Sequence, residues 1–379
     1  MEIYFSQSLS WPSLPADFTA KHESAWVIGS NRLYERGPGA ELIRSGLDVL
    51  LTAESAGADG LCFVEHHATP RGLVPAASIL AAAAAARTSR VRVAVLGLGT
   101  AVQTTPLHVA EALALLDAVT GGRLVVGFDM TQGPDYFAQQ VDPTLAQERF
   151  REGLRLVLDA WDKPGPFTWH SKHFFVRNVN LWPLPQQRPG PPVWVVDPLA
   201  AQTRSLAVRR GLTLLAPLFG GAAAARHSFE AMRGVAAAEG TEKPLRLGWS
   251  VPVYVGASDD QARAEFEPHW RYLTTQLMHG YGRMTPPGLL QPQERLDLIK
   301  RSREQPSAVR GWDEILDGGW AVVGGSATVR DRLRHWQKEF GPSVLLLDVQ
   351  LGSLPAELAR ASIERLGQEV LPAMRTSGS

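Results

Sequence analysis

The chain has 379 residues, of which 38 are basic and 38 acidic, so its formal charge is zero; Cys62 is its one cysteine. That balance excludes long-range attraction to nucleic acid or to an anionic membrane, and a lone cysteine excludes an intramolecular disulfide. A small neutral or mixed ligand suits such a surface. The opening MEIYFSQSLSWP has neither the layout nor the cleavage site of a secretory leader, and no apolar stretch reaches the ~18 residues of a membrane span, so a cytoplasmic protein is expected.

Eight short apolar, β-branched runs follow one another: EIYFS near residue 2, GLCFVE ending at Glu65, RVRVAVLGLG near Gly99 and RLVVGFD at Asp129. Then come PVWVVD at Asp197, LTLLAP at Pro217, LRLGWSVPVYV at Val255 and SVLLLDV at Val349. Continuous rather than alternating runs suit strands buried on both faces. Helical patterns separate them, most clearly TPLHVAEALALLDAVTGG, with Thr105 as cap, Pro106 at the first helical position and Gly121 where a left-handed stop is expected. Further helices fit LIRSGLDVLLTAESAG, AASILAAAAAART, AQERFREGLRLVLDAW and VRDRLRHWQKEFG. Eight strands alternating with helices predict an α/β chain folded as a single (β/α)₈ TIM barrel. Three stretches interrupt the repeat as excursions, near 8–40, 163–192 and 270–320. Trp161, Trp169, Trp182 and Trp194 are expected to pack the proline-rich second excursion onto the barrel.

In such a barrel the chemistry gathers at the carboxyl ends of the strands, where FVEHHATP places Glu65, His66 and His67. Adjacent strand residues face opposite ways, so two neighbouring histidines do not reach one ion without a turn. No H-x-H or H-E-x-x-H spacing supplies further ligands, and no metal site is expected. Histidine titrates near working pH, which makes His66 a candidate acid, base or hydrogen-bond donor; the plain alternative is a histidine bonded to local backbone. Gly97 and Gly99 mark either a bulge, with close approach to a flat ligand, or a simple strand exit.

The segments FVEHHATPRGLVPAASILAAAAAART, VAVLGLGTAVQTTPLHVAEALALLDAVTGGRLVVGF, DPTLAQERFREGLRLVLDAW and AVVGGSATVRDRLRHWQKEFGPSVLLLDVQ, in this order, resemble the bacterial luciferase-like flavin-dependent monooxygenases. The resemblance implies a barrel that binds reduced FMN (FMNH₂) at the carboxyl ends of its strands and reacts it with oxygen to oxidise a small organic molecule. A separate flavin reductase would supply the FMNH₂, and the chain would be a homodimer. On matching positions Glu65 lies beside the flavin and His66 is the base or donor at the reaction centre. The peptide between Gly97 and Leu98 is a non-proline cis bond under the ring, and Arg149 and Thr203 hold the phosphate. In one place the chain departs from the family. After the fourth strand the family carries an arginine in a Gly-containing loop, whereas GFDMTQGPDY has Asp129 and then Met130 there. An acid repels phosphate and methionine cannot hold it. FMN is therefore expected to be held weakly, through Arg149 and backbone N–H groups, or to be replaced by a deazaflavin that transfers hydride. A barrel without turnover, serving as a binding or assembly subunit, is the further alternative.

Overall fold

In a computed structural model of the chain, residues 1–375 are described apart from 28, 132, 140, 198–199, 242–243, 281–284, 287, 291, 294–295 and 297–309. The first four runs form β1 (Glu2–Gln7), β2 (Gly60–Val64), β3 (Arg92–Leu98) and β4 (Leu124–Phe128). Within the second excursion, β5 (Phe167–His170) and β6 (Phe175–Val179) pair as an antiparallel hairpin. The remaining runs form β7 (Val193–Val196), β8 (Thr213–Leu215), β9 (Leu247–Val255) and β11 (Val344–Gln350), with a short β10 (Val322–Gly324) before the last. Pairing runs β1, β2, β3, β4, β7, β8, β9, β11 and back to β1, so the eight anticipated strands close a parallel barrel. β10 stands outside that ring, laid parallel along Val253–Val255 of the long β9.

Side chains from alternate positions fill the barrel axis, among them Tyr4, Cys62, Leu96, Val125, Trp194, Leu215 and Leu346. Tyr4 meets Trp194 edge to face with centroids 4.7 Å apart, a favoured aromatic geometry. The interior below the mouth is thus a packed core rather than a pore. The other strand face packs on surrounding helices, including Arg36–Leu51, Ala77–Ala85, Pro106–Val119, Ala146–Asp162 and Ser326–Phe340. Trp161, Trp169 and Trp194 are buried as anticipated. Trp182 is not: it is 84 % exposed, because the chain at Leu181–Pro183 turns its next side chain outward once Val179 and Leu181 have entered the core.

The first excursion roofs one side of the barrel mouth. Trp11 N–H donates to the Pro70 carbonyl (2.8 Å), Leu73 N–H to the Leu9 carbonyl (2.7 Å) and Ser10 Oγ to the Arg71 carbonyl (2.7 Å). The roof is fastened from above by the helix Asp259–Tyr272, whose Tyr272 hydroxyl donates to the Trp11 carbonyl and accepts from Leu14 N–H, each at 2.9 Å. Much of the third excursion lies outside the described residues. Among the described residues no helix is long and apolar enough to cross a membrane.

Candidate active site

β3 takes an irregular step between Leu96 and Leu98, with Gly97 at φ 101°, a backbone that side-chain-bearing residues rarely adopt. A Cβ on Gly97 would stand 2.8 Å from the Glu65 carbonyl oxygen. The step is therefore a bulge that requires glycine, and its neighbours run past their own strand ends to close over it. Glu65 N–H donates to the Leu96 carbonyl (2.7 Å) and Asp129 N–H to the Leu98 carbonyl (3.2 Å). Two carboxylates thus flank the bulge. All cis peptides among the described residues precede proline, at Pro166, Pro183 and Pro189, so the Gly97–Leu98 bond is trans, contrary to the expectation from the resemblance. The positive φ of Gly97 turns the chain without the ~3–4 kcal/mol that a non-proline cis bond costs.

Glu65 is fixed at both oxygens. Oε2 accepts from Ala77 N–H (2.9 Å), and Oε1 lies 3.1 Å from His67 Nε2. Ala77 opens a helix whose capping residue, Ala76, has no side chain to satisfy it, so Glu65 supplies the missing acceptor and its charge favours the helix start. His67 Nε2 also lies 4.0 Å from Asp135 Oδ1. The Glu65 hydrogen bond, aided by the charges of Asp135 and Asp129, raises the His67 pKa above its ordinary 6.5. Asp129 accepts from Thr131 N–H at 2.8 Å. Burial, reinforced by the nearby Asp135 and Glu65 charges, lifts its carboxyl to about 6.

His66 differs from its neighbour. Its ring keeps some exposure to the cleft yet lies deep, 6.1 Å from the Trp26 ring and tight against Gly72, where a Cβ would come within 2.2 Å of the imidazole. Desolvation first, then the charges of Arg71 and His67, push its pKa down to about 3. His66 is therefore a neutral hydrogen-bonding ring at working pH, and His67 is the histidine poised to titrate. Trp26, Glu65, His66, His67, Asp129 and Asp135 wall a narrow cleft. Among the described residues no group of three or more His, Cys, Asp and Glu side chains could hold a metal ion.

The residues expected at a phosphate lie elsewhere or are engaged. Met130 packs with Val102, Tyr136 and Ala146, and its carbonyl accepts from the Tyr136 hydroxyl. Arg149 donates through Nε to the Ala101 carbonyl (2.8 Å) and through one Nη to that of Gln103 (3.0 Å), and it stacks on Phe174. Thr203 is fully buried in the first turn of the helix Ala201–Arg210, with its hydroxyl unpartnered. Next to it Arg204 is locked in a bidentate pair with Asp197 (2.8 and 2.9 Å) at the end of β7. Sequence reasoning missed Asp135, Trp26 and Arg71. The missing cap before AASILAAAAA was the one local signal that Glu65 would be anchored there.

Residues 24–342 match the family model for luciferase-like monooxygenases. Over 299 residues the chain is 27 % identical to 4-hydroxyprotoasukamycin monooxygenase from Streptomyces nodosus subsp. asukaensis, covering 74 % of this chain and 76 % of that one. The fold is shared with monooxygenase RslO1 from Streptomyces bottropensis (TM-score 0.74, 22 % identity, 99 % of this chain and 100 % of that one). It is shared also with the oxygenating constituent of 3,6-diketocamphane monooxygenase from Pseudomonas putida, solved with FMN (0.65, 18 %, 88 % and 93 %). An F420-dependent secondary alcohol dehydrogenase has it too (0.67, 15 %, 99 % of each). At these identities the structural likenesses speak for the fold alone.

Proposed function

The chain belongs to the luciferase-like monooxygenase family, and from that premise we propose that it is the oxygenase of a two-component system, using FMNH₂ from a separate reductase and dioxygen to oxidise a small organic molecule. The observation that carries this reading is the Gly97 bulge with Glu65 and Asp129 on its two sides and a titrating His67 bonded to Glu65. The residues fit the flat part of a flavin. The bulge offers backbone without a Cβ. They offer little to its phosphate, since Met130 sits in an apolar cluster and both Arg149 and Arg204 are engaged. Gly97 and Leu98 would hold the flavin ring.

Bound there, reduced flavin supplies the two electrons that activate oxygen. The chain's own part is to hold protons and keep water out. Glu65 and His67 share a proton along a 3.1 Å contact, and Asp129 retains its own to about pH 6, so a donor and an acceptor stand on the two sides of one bulge near neutrality. Neutral His66 orients by hydrogen bonding rather than by charge. Trp26 and the roof of residues 8–27 close one flank against solvent.

The test is fluorescence titration with oxidised FMN, riboflavin and a deazaflavin, coupled to an NADH assay with and without an added FMN reductase. We expect FMN and riboflavin to bind within about threefold of each other, Met130→Arg to leave FMN affinity within the same range, and NADH consumption to require the reductase. Preference for the deazaflavin with hydride transfer, or NADH oxidation by the pure chain, would overturn the reading.

A further inference from the structure

Beside the cleft, on the β11, β1 and β2 side of the mouth, lies a second polar group that the proposed proton handling does not use. Arg71 is 1 % exposed, and its Nε and Nη1 have no hydrogen-bond partner. Its guanidinium lies over the Phe219 ring, 4.7 Å from the centroid, and faces the charge of Asp348. Gln7 at the end of β1 and Gln350 at the end of β11 are register partners, with Asp348 two residues earlier on the same strand. All four side chains are at least nine-tenths buried. Both amide atoms of Gln7, Oε1 of Gln350 and Oδ1 of Asp348 are unpartnered. Gln350 Nε2 bonds to the Leu354 carbonyl, and the Asp348 carboxylate accepts from the Gln350 backbone N–H.

Buried polar atoms left unpaired destabilise a fold, and a native chain rarely collects several on one patch. Here they balance in kind: three donors, from Arg71 and the Gln7 amide, against three acceptors, from Gln7, Asp348 and Gln350. An Arg–Asp pair built for stability would be closed by direct hydrogen bonds, as Arg204 and Asp197 are at the end of β7, three strands away from β11. Arg71 and Asp348 interact only through space. The arrangement suits a ligand that brings acceptor oxygens to a cation and, beside them, a hydroxyl to give away.

We propose that Arg71, Asp348, Gln7 and Gln350 form a receptor for the oxygen-rich head of the substrate, a carboxylate, enolate or carbonyl with an adjacent hydroxyl. Arg71 and the Gln7 amide donate to the carbonyl or anionic oxygens, while Asp348 and Gln350 accept from the hydroxyl. Arg71 follows the catalytic loop by only four residues and influences His66 directly, so a head seated there leaves the rest of the molecule extending toward the cleft. The assignment rests on reading that cleft as the oxidation site. The flavin's own pyrimidine edge, which also alternates acceptors and a donor, is the other source of the same chemistry.

Salicylate, with a hydroxyl beside a carboxylate, is a probe for this head; benzoate lacks the hydroxyl. Isothermal titration of the full chain is expected to show salicylate binding more tightly than benzoate. Arg71→Met should weaken salicylate at least tenfold while leaving FMN affinity within threefold. Gln350→Met should erase the preference for salicylate, and it decides the matter if Arg71→Met fails to fold. Equal salicylate affinity in parent and both variants, or none in the parent, would overturn the receptor and leave the cluster as solvated structure. A tenfold loss of FMN with salicylate unaffected would hand the site to the flavin and overturn the substrate assignment. If the parent binds salicylate through Arg71 but binds no flavin, the receptor stands and the flavin reading falls.

Discussion

Two sides of one barrel mouth are built on opposite principles. On the β2 to β4 side, Glu65, Asp129 and His67 are each tied to a partner in the chain, down to the amide of Ala77. On the β11 to β1 side, Gln7, Arg71, Asp348 and Gln350 are more deeply buried and yet hold unpaired atoms. Groups already satisfied are preorganised and can keep their protonation states through a reaction. Groups buried without partners store free energy that an incoming molecule can recover. The difference teaches which flank is machinery and which is socket.

The comparison breaks most visibly in turnover. His67→Gln should cut the rate by ~100-fold or more, the usual scale for a lost acid or base, and should remove the limb of the pH profile that lies above 6.5. His66→Ala should not share that signature, because a ring with a pKa near 3 carries no charge to lose: its rate can fall, but the limb stays. A limb that vanishes with His66 and survives without His67 would reverse the roles of the two rings.

Gly97→Ala should destabilise the fold by about 2 kcal/mol, because it combines a disfavoured φ with a 2.8 Å contact to the Glu65 carbonyl. Urea unfolding checks this, and an unchanged midpoint would mean that the bulge relaxes freely.

Asp129→Asn should stabilise by about 3 kcal/mol at pH 8 and by little at pH 4. The folded carboxyl has its pKa raised to about 6 from 3.8, so the native state holds a proton that the unfolded chain has released. Stability therefore falls as pH rises from about 4 to 6, and the penalty is complete above that window. Asparagine keeps the Thr131 hydrogen bond and removes the penalty. Equal midpoints for parent and variant at pH 8 would contradict it.

The smallest effect is the one that most sharpens the contrast. Gln7→Leu, nearly volume-conserving, should raise stability by about 1 kcal/mol, since it removes two buried atoms that bond to nothing in the chain. A loss of stability would show the β11 to β1 side to be structural after all.

Much of this was legible in the sequence, and the reasons are physical. Buried parallel strands leave continuous apolar runs, so all eight barrel strands could be read, and Thr105, Pro106 and Gly121 bracket their helix as the observed Pro106–Val119 requires. β10 was not legible, because three residues carry no period and its pairing comes only from the tertiary position of β9. EHH marked a strand end but not which histidine titrates, since the pKa split arises from Glu65 on one side and burial beside Arg71 on the other. The receptor was hidden for a related reason. Asp348 and Gln350 end a run read as apolar strand, and nothing local shows that Arg71, some 280 residues earlier, is folded against them.

The central claim is that this mouth holds reduced flavin and governs its reaction with oxygen, and stopped-flow mixing of the protein and FMNH₂ with oxygenated buffer tests it most directly. The account predicts a flavin reoxidation trace that differs from that of free FMNH₂, saturates as protein concentration rises, and changes with pH in the parent but not in His67→Gln. A trace identical to that of free FMNH₂ at every protein concentration would contradict it.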